Sequence, residues 1–140
     1  MKHTIETNWR KKMQFETEIS HHTIIVDAEP SVGGQDRGAP PKPLMLSALS
    51  GCTGMDVVSL LKKMRAEVDD FTIKIDAELT DEHPKYYKKV HVAYIFSASA
   101  FKKDKIEKSV DLSVNRYCGV FEMFRQFAEV THSITYNTID

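Results

Sequence analysis

The stretch "PLMLSALSGCTGMDVVSLLKKMR", ending at Arg65, constrains the fold more than any other part of the chain. It reads as one long helix, yet Leu44, Leu46, Leu49, Met55, Val57, Val58 and Leu61 place apolar side chains on nearly every side of it. A helix apolar all round belongs in the middle of a structure, not on its surface. The run approaches membrane-spanning length, but Asp56 lies in its middle, with Ser47, Ser50, Thr53 and Ser59 nearby. An acid at mid-bilayer costs about 2.5–3.5 kcal/mol on insertion scales, so a core helix is expected and no membrane span. The prolines stop at Pro43, where the helix is expected to begin, and Lys62, Lys63 and Arg65 suit its negative end.

Strands surround this helix in the sequence. Ile5, Thr7 and Trp9 alternate with polar neighbours, as do Met13, Phe15, Thr17 and Ile19, and "HHTIIVDA" (His21 to Ala28) reads as a third short strand. The Gly/Pro-rich run "EPSVGGQDRGAPPKP" is a loop, long enough for a functional role. After the helix, "FTIKIDAEL" and "KVHVAYIFSA" alternate strictly and predict two antiparallel strands with one wet face. "KDKIEKSVDLSVNRY" predicts an amphipathic helix with Ile106, Val110, Val114 and Tyr117 on its buried stripe. Gly119 breaks it, "VFEMFRQFAEV" forms a second helical piece, and "HSITYNTI" is the last strand. The order predicts an α+β fold with antiparallel sheets packed around a long central helix. The length of 140 residues suits a single domain over 1–140.

Composition narrows the function by exclusion. A net charge of -1 leaves no electrostatic footprint for nucleic acid or an anionic membrane. The N-terminal "MKHTIETNWRKK" lacks an apolar run, so no secretory signal and a cytoplasmic setting are expected. In such a setting Cys52 and Cys118 rest as thiols, and a disulfide between them would be transient and catalytic. There is no C-x-x-C, no H-E-x-x-H and no Cys/His cluster at ligand spacing, so no metal and no cofactor is expected. His21 and His22 open the predicted strand on opposite faces and cannot share an ion. "SVGGQDRG" lacks the Gly-Lys-Ser/Thr ending of a phosphate-binding loop. Lys102, Lys103, Lys105 and Lys108 read as a solvated helix face, and Phe121, Phe124, Phe127 and Tyr117 as core.

Cys52 is the residue with two readings. Gly51 and Gly54 flank it, and a glycine inside a helix costs about 1 kcal/mol relative to alanine. Close approach of a neighbouring backbone would explain them, and so would room for a small molecule at the sulfur. A buried small hydrophobe is the plain reading of the cysteine. A reactive thiol needs a cation, a base or a helix N-terminus beside it. Cys52 is too deep in the helix for the dipole, and Asp56, one turn on, has the wrong charge. Arg37, in the loop before the helix, is the nearest candidate cation, with Arg10 and Arg116 as others. Cys118 precedes Gly119, and a helix starting there would put its sulfur at the favourable end.

Two stretches together resemble a known family. "PLMLSALSGCTGMDVVSLLKKMR" is similar to the central helix of the OsmC-like proteins (osmotically inducible protein C and organic hydroperoxide resistance proteins). "KSVDLSVNRYCGVFEMFRQFAEVTHSITY" resembles their second cysteine motif and closing strand. The likeness covers most of the chain from Pro40 onward. It implies the OsmC-like fold, an intertwined homodimer, and a thiol peroxidase acting on organic hydroperoxides in oxidative-stress defence. Cys52 would attack the peroxide, Cys118 would resolve the sulfenic acid as a disulfide, Arg37 would stabilise the thiolate, and a dithiol reductant, often lipoyl, would restore both thiols. One departure is visible. Where peroxidase-type members carry a glutamate before the helix, this chain reads "PPKPLML", with Lys42 and Pro43 at the carboxylate's place. An OsmC-fold protein without peroxidase turnover, binding an apolar or thiol-bearing ligand near Cys52, is the alternative, and core filler a third.

Overall fold

A computed structural model describes residues 1–140. The chain divides into two compact units, Met1–Ser47 and Ala48–Asp140.

The first unit is an antiparallel meander of β1 (Thr7–Lys11), β2 (Gln14–Ile19) and β3 (His22–Val26). Trp9 pairs with Phe15, and Phe15 in turn with Val26. The β2–β3 turn is Ser20-His21, with φ of 48° and 69°. Two consecutive positive φ values match the right-handed twist of a tight hairpin. His21 therefore belongs to the turn and only His22 opens the strand. The loop after β3 folds around Asp27, which is 3% exposed. Its Oδ1 accepts from the Ala28 N–H (2.7 Å), and its Oδ2 from the N–H groups of Gln35 (3.4 Å) and Arg37 (3.1 Å). Burial alone would raise this carboxyl, but those backbone donors and the Arg37 charge outweigh it and hold it below the ordinary range. The clip closes tightly: a Cβ on Gly34 would overlap the Ala28 carbonyl, and one on Gly38 the Ile25 carbonyl. Only glycine fits such an approach.

Helix α1 runs Pro41–Lys63, two residues earlier than the sequence suggests, with both prolines in its first turn. Its buried residues are Leu49, Thr53, Val57 and Leu61, every fourth residue and so one face. Met45, Met55 and Val58 are 45%, 77% and 55% exposed. The expectation of a helix enclosed on all sides thus holds for one face only. α1 is long and apolar enough to cross a membrane by length and composition. Its packed face nevertheless carries a threonine satisfied by hydrogen bonds to protein, as in a core helix.

The second unit holds β4 (Asp70–Leu79), β5 (Tyr87–Ala98), α2 (Lys103–Leu112), α3 (Gly119–Arg125) and β6 (Glu129–Thr138). β5 is the middle strand of three, antiparallel to β4. β6 lies parallel to β5, so this sheet is mixed, whereas the sequence argument expected antiparallel pairing throughout. The reason is the connection: β5 leads to β6 through α2 and α3, and a helical crossover permits the parallel direction that a hairpin forbids. Val90, Val92, Tyr94, Phe96 and Ala98 of β5 are all buried, as the period of two requires. They form the core with Leu49, Val57, Ile106, Val110, Phe121 and Phe124.

A π-helical turn, Ser113–Tyr117, separates α2 from α3. It widens the helix by about one residue per turn and shifts the stripe. Val114 stays buried, but Tyr117, expected on the same stripe, is 53% exposed. The second helical piece ends at Arg125, and Glu129, expected within it, begins β6. Two of the lysines expected to be merely solvated have partners. Lys102 Nζ donates to the Arg65 carbonyl (2.7 Å) and Lys105 Nζ to that of Met64 (3.0 Å), just past the C-terminus of α1.

Candidate active site

Cys52 sits in the middle of α1, partly exposed, and Cys118 is buried between the π turn and α3. Both are free thiols, and they lie close enough for Cys52 to raise the Cys118 thiol. The fold brings them together because one face of α1 packs where α2 gives way to α3. Of the two glycines beside Cys52, Gly54 has the structural reason: a Cβ there would lie 3.1 Å from Ile73 Cδ1 on β4. Around a Cβ at Gly51 there is open space.

Cys118 caps α3. Its φ and ψ of -77° and 101° are extended, its carbonyl accepts from the Glu122 N–H (3.1 Å), and its Sγ accepts from the Phe121 N–H (3.3 Å). The sulfur thus occupies the helix N-terminus, as the position before Gly119 suggests. Burial nonetheless dominates and pushes this thiol up to about 12. The Phe121 N–H opposes the rise, while Cys52 and the Asp56 charge add to it. Cys118 is therefore held as a thiol, able to donate to Cys52.

Beside the two sulfurs lies a polar chain that sequence reasoning missed. Tyr94 Oη on β5 is 2.7 Å from Thr53 Oγ1, which is 2.7 Å from Ser113 Oγ. Ser113 Oγ donates to Asp56 Oδ2 at 3.0 Å. A carboxylate only accepts, and each hydroxyl has one proton, so the order is set: Tyr94 donates to Thr53, Thr53 to Ser113, Ser113 to Asp56. The Ser113 carbonyl also accepts from the Cys118 N–H (2.9 Å), tying the chain to the thiol. Burial pushes the Tyr94 hydroxyl up to about 12, so it stays protonated as the first donor. The only sequence signal was the spacing of Cys52 and Asp56, one helical turn on a common face. Nothing in the sequence announces that Ser113 and Tyr94 reach the same point.

The candidate arginines have separate fates. Arg37 lies in the first unit, exposed, with its backbone N–H in the Asp27 clip. Arg10 pairs with Glu16 (3.1 Å), and Arg116 lies over the Tyr117 ring (5.7 Å). A fourth, Arg125, was not singled out by the sequence. It stacks over Phe121 at 4.6 Å and bonds Glu122 and Asn115. With Cys118, Arg116 and Tyr117 it lines an open cleft of about 350 Å³.

Comparison with known proteins identifies the family and the fold. The OsmC-like protein family matches residues 33–133. Protein YhfA of Escherichia coli K12 is 32% identical over 114 residues, covering 81% of this chain and 82% of its own. Among solved structures, a hypothetical protein from Aquifex aeolicus is 25% identical with a TM-score of 0.79, over 96% of each chain. An organic hydroperoxide resistance protein, OsmC, from Legionella pneumophila shares the fold at 14% identity and a TM-score of 0.66, over 94% of this chain and 95% of that one. By sequence and by fold, the chain belongs to the OsmC-like family.

Proposed function

We propose that the chain is a dithiol-dependent reductase of organic hydroperoxides, in which residues 1–140 act as one domain. One observation carries the reading: two free thiols far apart in sequence lie close enough to influence each other, one partly exposed and the other buried. That asymmetry suits two different tasks. The accessible Cys52 thiolate attacks the peroxide's distal oxygen; the O–O bond breaks, the alcohol leaves, and a sulfenic acid remains on Cys52. Cys118 donates to the Cys52 thiolate beforehand and condenses with the sulfenic acid afterwards, releasing water. A lipoyl-type dithiol then restores both thiols by exchange. An alkyl tail gains by leaving water, which favours organic hydroperoxides over hydrogen peroxide.

Arg37 is the proposed cation for the Cys52 thiolate. A second copy of the chain is the proposed cover for the bare apolar residues of α1, Met45, Met55 and Val58. Two resting thiols suit a reducing, cytoplasmic setting. The test is consumption of cumene hydroperoxide with dihydrolipoamide by wild type, Cys52→Ser and Cys118→Ser. Turnover in wild type that is lost in Cys52→Ser is the expected result. Equal behaviour of wild type and Cys52→Ser would refute the reading.

Two observations favour the second reading, a ligand-binding protein without turnover. Asp56 places a negative charge against Cys118, and Lys42 and Pro43 stand where peroxidase-type members carry glutamate. It expects thermal stabilisation by an apolar or thiol-bearing ligand with no peroxide consumed.

A further inference from the structure

A dithiol peroxidase handles two reagents at one pair of sulfurs, and the two sulfurs are not equally placed to meet them. Cys118 forms part of the wall of the open cleft of about 350 Å³, and Cys52 does not. Gly119 is the next residue in the same wall, and it is exposed. A Cβ built on it meets no atom within 4 Å, so the way past it toward Cys118 is unobstructed. The cleft is also charged. Arg125 faces Glu122 at 3.3 Å and Asn115 at 3.2 Å. Arg116 is exposed, lies over the Tyr117 ring at 5.7 Å and pairs with no carboxylate. Two arginines against one glutamate leave the cleft net positive. Such a surface draws in an anion, and a thiol beside cations ionises more readily.

We propose that this cleft is the entry site of the dithiol reductant, which attacks Cys118 of the oxidised pair past Gly119, with Arg116 drawing in its thiolate. The proposal rests on the peroxidase reading above and assigns the two reagents to different sulfurs: hydroperoxide to Cys52, dithiol to Cys118. One thiol of the reductant loses its proton to solvent and attacks Cys118 Sγ. The Cys52–Cys118 bond breaks, a mixed disulfide forms on Cys118, and Cys52 leaves as a thiolate. The second thiol loses its proton and attacks the reductant's own sulfur. The mixed disulfide breaks, the reductant closes to a cyclic disulfide, and Cys118 leaves. Two electrons pass from the dithiol to the protein, and Cys52 and Cys118 take up two protons for the two given up.

The order of departure favours the same sulfur. Exchange is faster when the departing thiolate is the more stable one. Cys52 is partly exposed, so water solvates it as it leaves. Cys118 is 4% exposed, and burial makes it the poorer leaving group. Attack on Cys52 would expel Cys118 in the bimolecular step. Attack on Cys118 defers that departure to the ring closure, where the attacking thiol is already in place.

The experiment oxidises wild type with cumene hydroperoxide, confirms the disulfide by intact mass, removes the oxidant and adds N-acetylcysteine. This monothiol forms the mixed disulfide but cannot close a ring. Quenching with N-ethylmaleimide at low pH and peptide mass spectrometry then locate the adduct. It is expected on Cys118, with N-ethylmaleimide on Cys52. The rates of reduction by dihydrolipoamide test the route. Gly119→Phe fills the open space and is expected to slow reduction of its disulfide about 10- to 100-fold, the range for a reactant held off its line of attack. Arg116→Gln is expected to slow it about two- to fivefold, the worth of an exposed charge pair, and to flatten its dependence on ionic strength. An N-acetylcysteine adduct on Cys52, alone or in equal amount, overturns the proposal and leaves the peroxidase reading intact. So does reduction of Gly119→Phe at the wild-type rate. Wild type that forms no disulfide with cumene hydroperoxide overturns both.

Discussion

Two carboxylates, one in each unit, are held by hydrogen bonds in opposite ways. Asp27 accepts from three backbone N–H groups, donors fixed by the loop itself, and is held ionised below the ordinary range. Asp56 accepts from a serine hydroxyl at the end of a chain of side-chain hydrogen bonds, and its charge helps to raise a buried thiol. Backbone donors are fixed by the fold, whereas hydroxyls can rotate between acceptors. The first arrangement makes a clasp for a loop, and the second ties α1 to the π turn and to β5. Burial of an acid is therefore a poor guide to its role, and the nature of its donors a better one.

The sharpest way to break this comparison is the same substitution at both sites. Asp27→Asn turns an acceptor toward donors that it can no longer fully satisfy, so Tm should fall by several degrees. Asp56→Asn keeps an oxygen for the single Ser113 hydroxyl donor, so its Tm should fall less. The two also differ in pH dependence. A lowered carboxyl contributes stability above its unfolded value, near 3.8, and loses it as pH falls through the folded value. Acid denaturation of wild type should show that contribution, and Asp27→Asn should be flatter below about pH 4. An Asp27→Asn protein with an unchanged acid limb would refute the clasp.

Within the hydroxyl chain, effects should decrease outward from its hub. Thr53→Val leaves the buried Tyr94 hydroxyl without its acceptor, a loss of about 1–3 kcal/mol by denaturant unfolding. Tyr94→Phe should cost less, about 1 kcal/mol, because Thr53 still donates to Ser113. Tyr94 also adds to alkaline sensitivity: raised to about 12, its stabilising share is present below pH 10 and lost as pH climbs toward 12. Tyr94→Phe should soften that limb without removing it, since burial and Glu107 raise Tyr136 to about 12 as well. Equal losses in Thr53→Val and Tyr94→Phe would reverse the donor order deduced here.

How much of this was legible in the sequence follows from the range of each signal. Local periodicity placed all six strands and α1, because alternation and helical spacing are read within one element. The two cysteines were legible as a pair through resemblance, not spacing. The parallel β5–β6 pairing was not legible, since strand direction depends on how the α2–α3 crossover is routed. Tyr117 was misplaced because a π turn adds a residue that no 3.6-residue pattern anticipates. Asp56 was read as a charge of the wrong sign for Cys52. Its relation to Cys118 needs Ser113 and Tyr94, which only tertiary packing delivers.

The smallest expected effect concerns the two glycines of α1 that flank Cys52. Alanine is favoured over glycine in a helix interior by about 1 kcal/mol. At Gly54 the new methyl meets Ile73 Cδ1 at 3.1 Å, the far end of a flexible side chain, so the gain and the crowding should roughly cancel. At Gly51 the methyl meets nothing, so Gly51→Ala should be the more stable protein by about 1 kcal/mol in denaturant unfolding. Cumene hydroperoxide turnover then separates the two explanations for a glycine there. A stabilised Gly51→Ala with unchanged turnover would mean that the space beside the sulfur is idle. A stabilised variant with reduced turnover would mean that the substrate uses it. If Gly51→Ala is instead destabilised, and the more so as protein concentration rises, the open face of α1 is filled in solution by a second copy of the chain, and close approach, not substrate access, is what keeps a glycine next to Cys52.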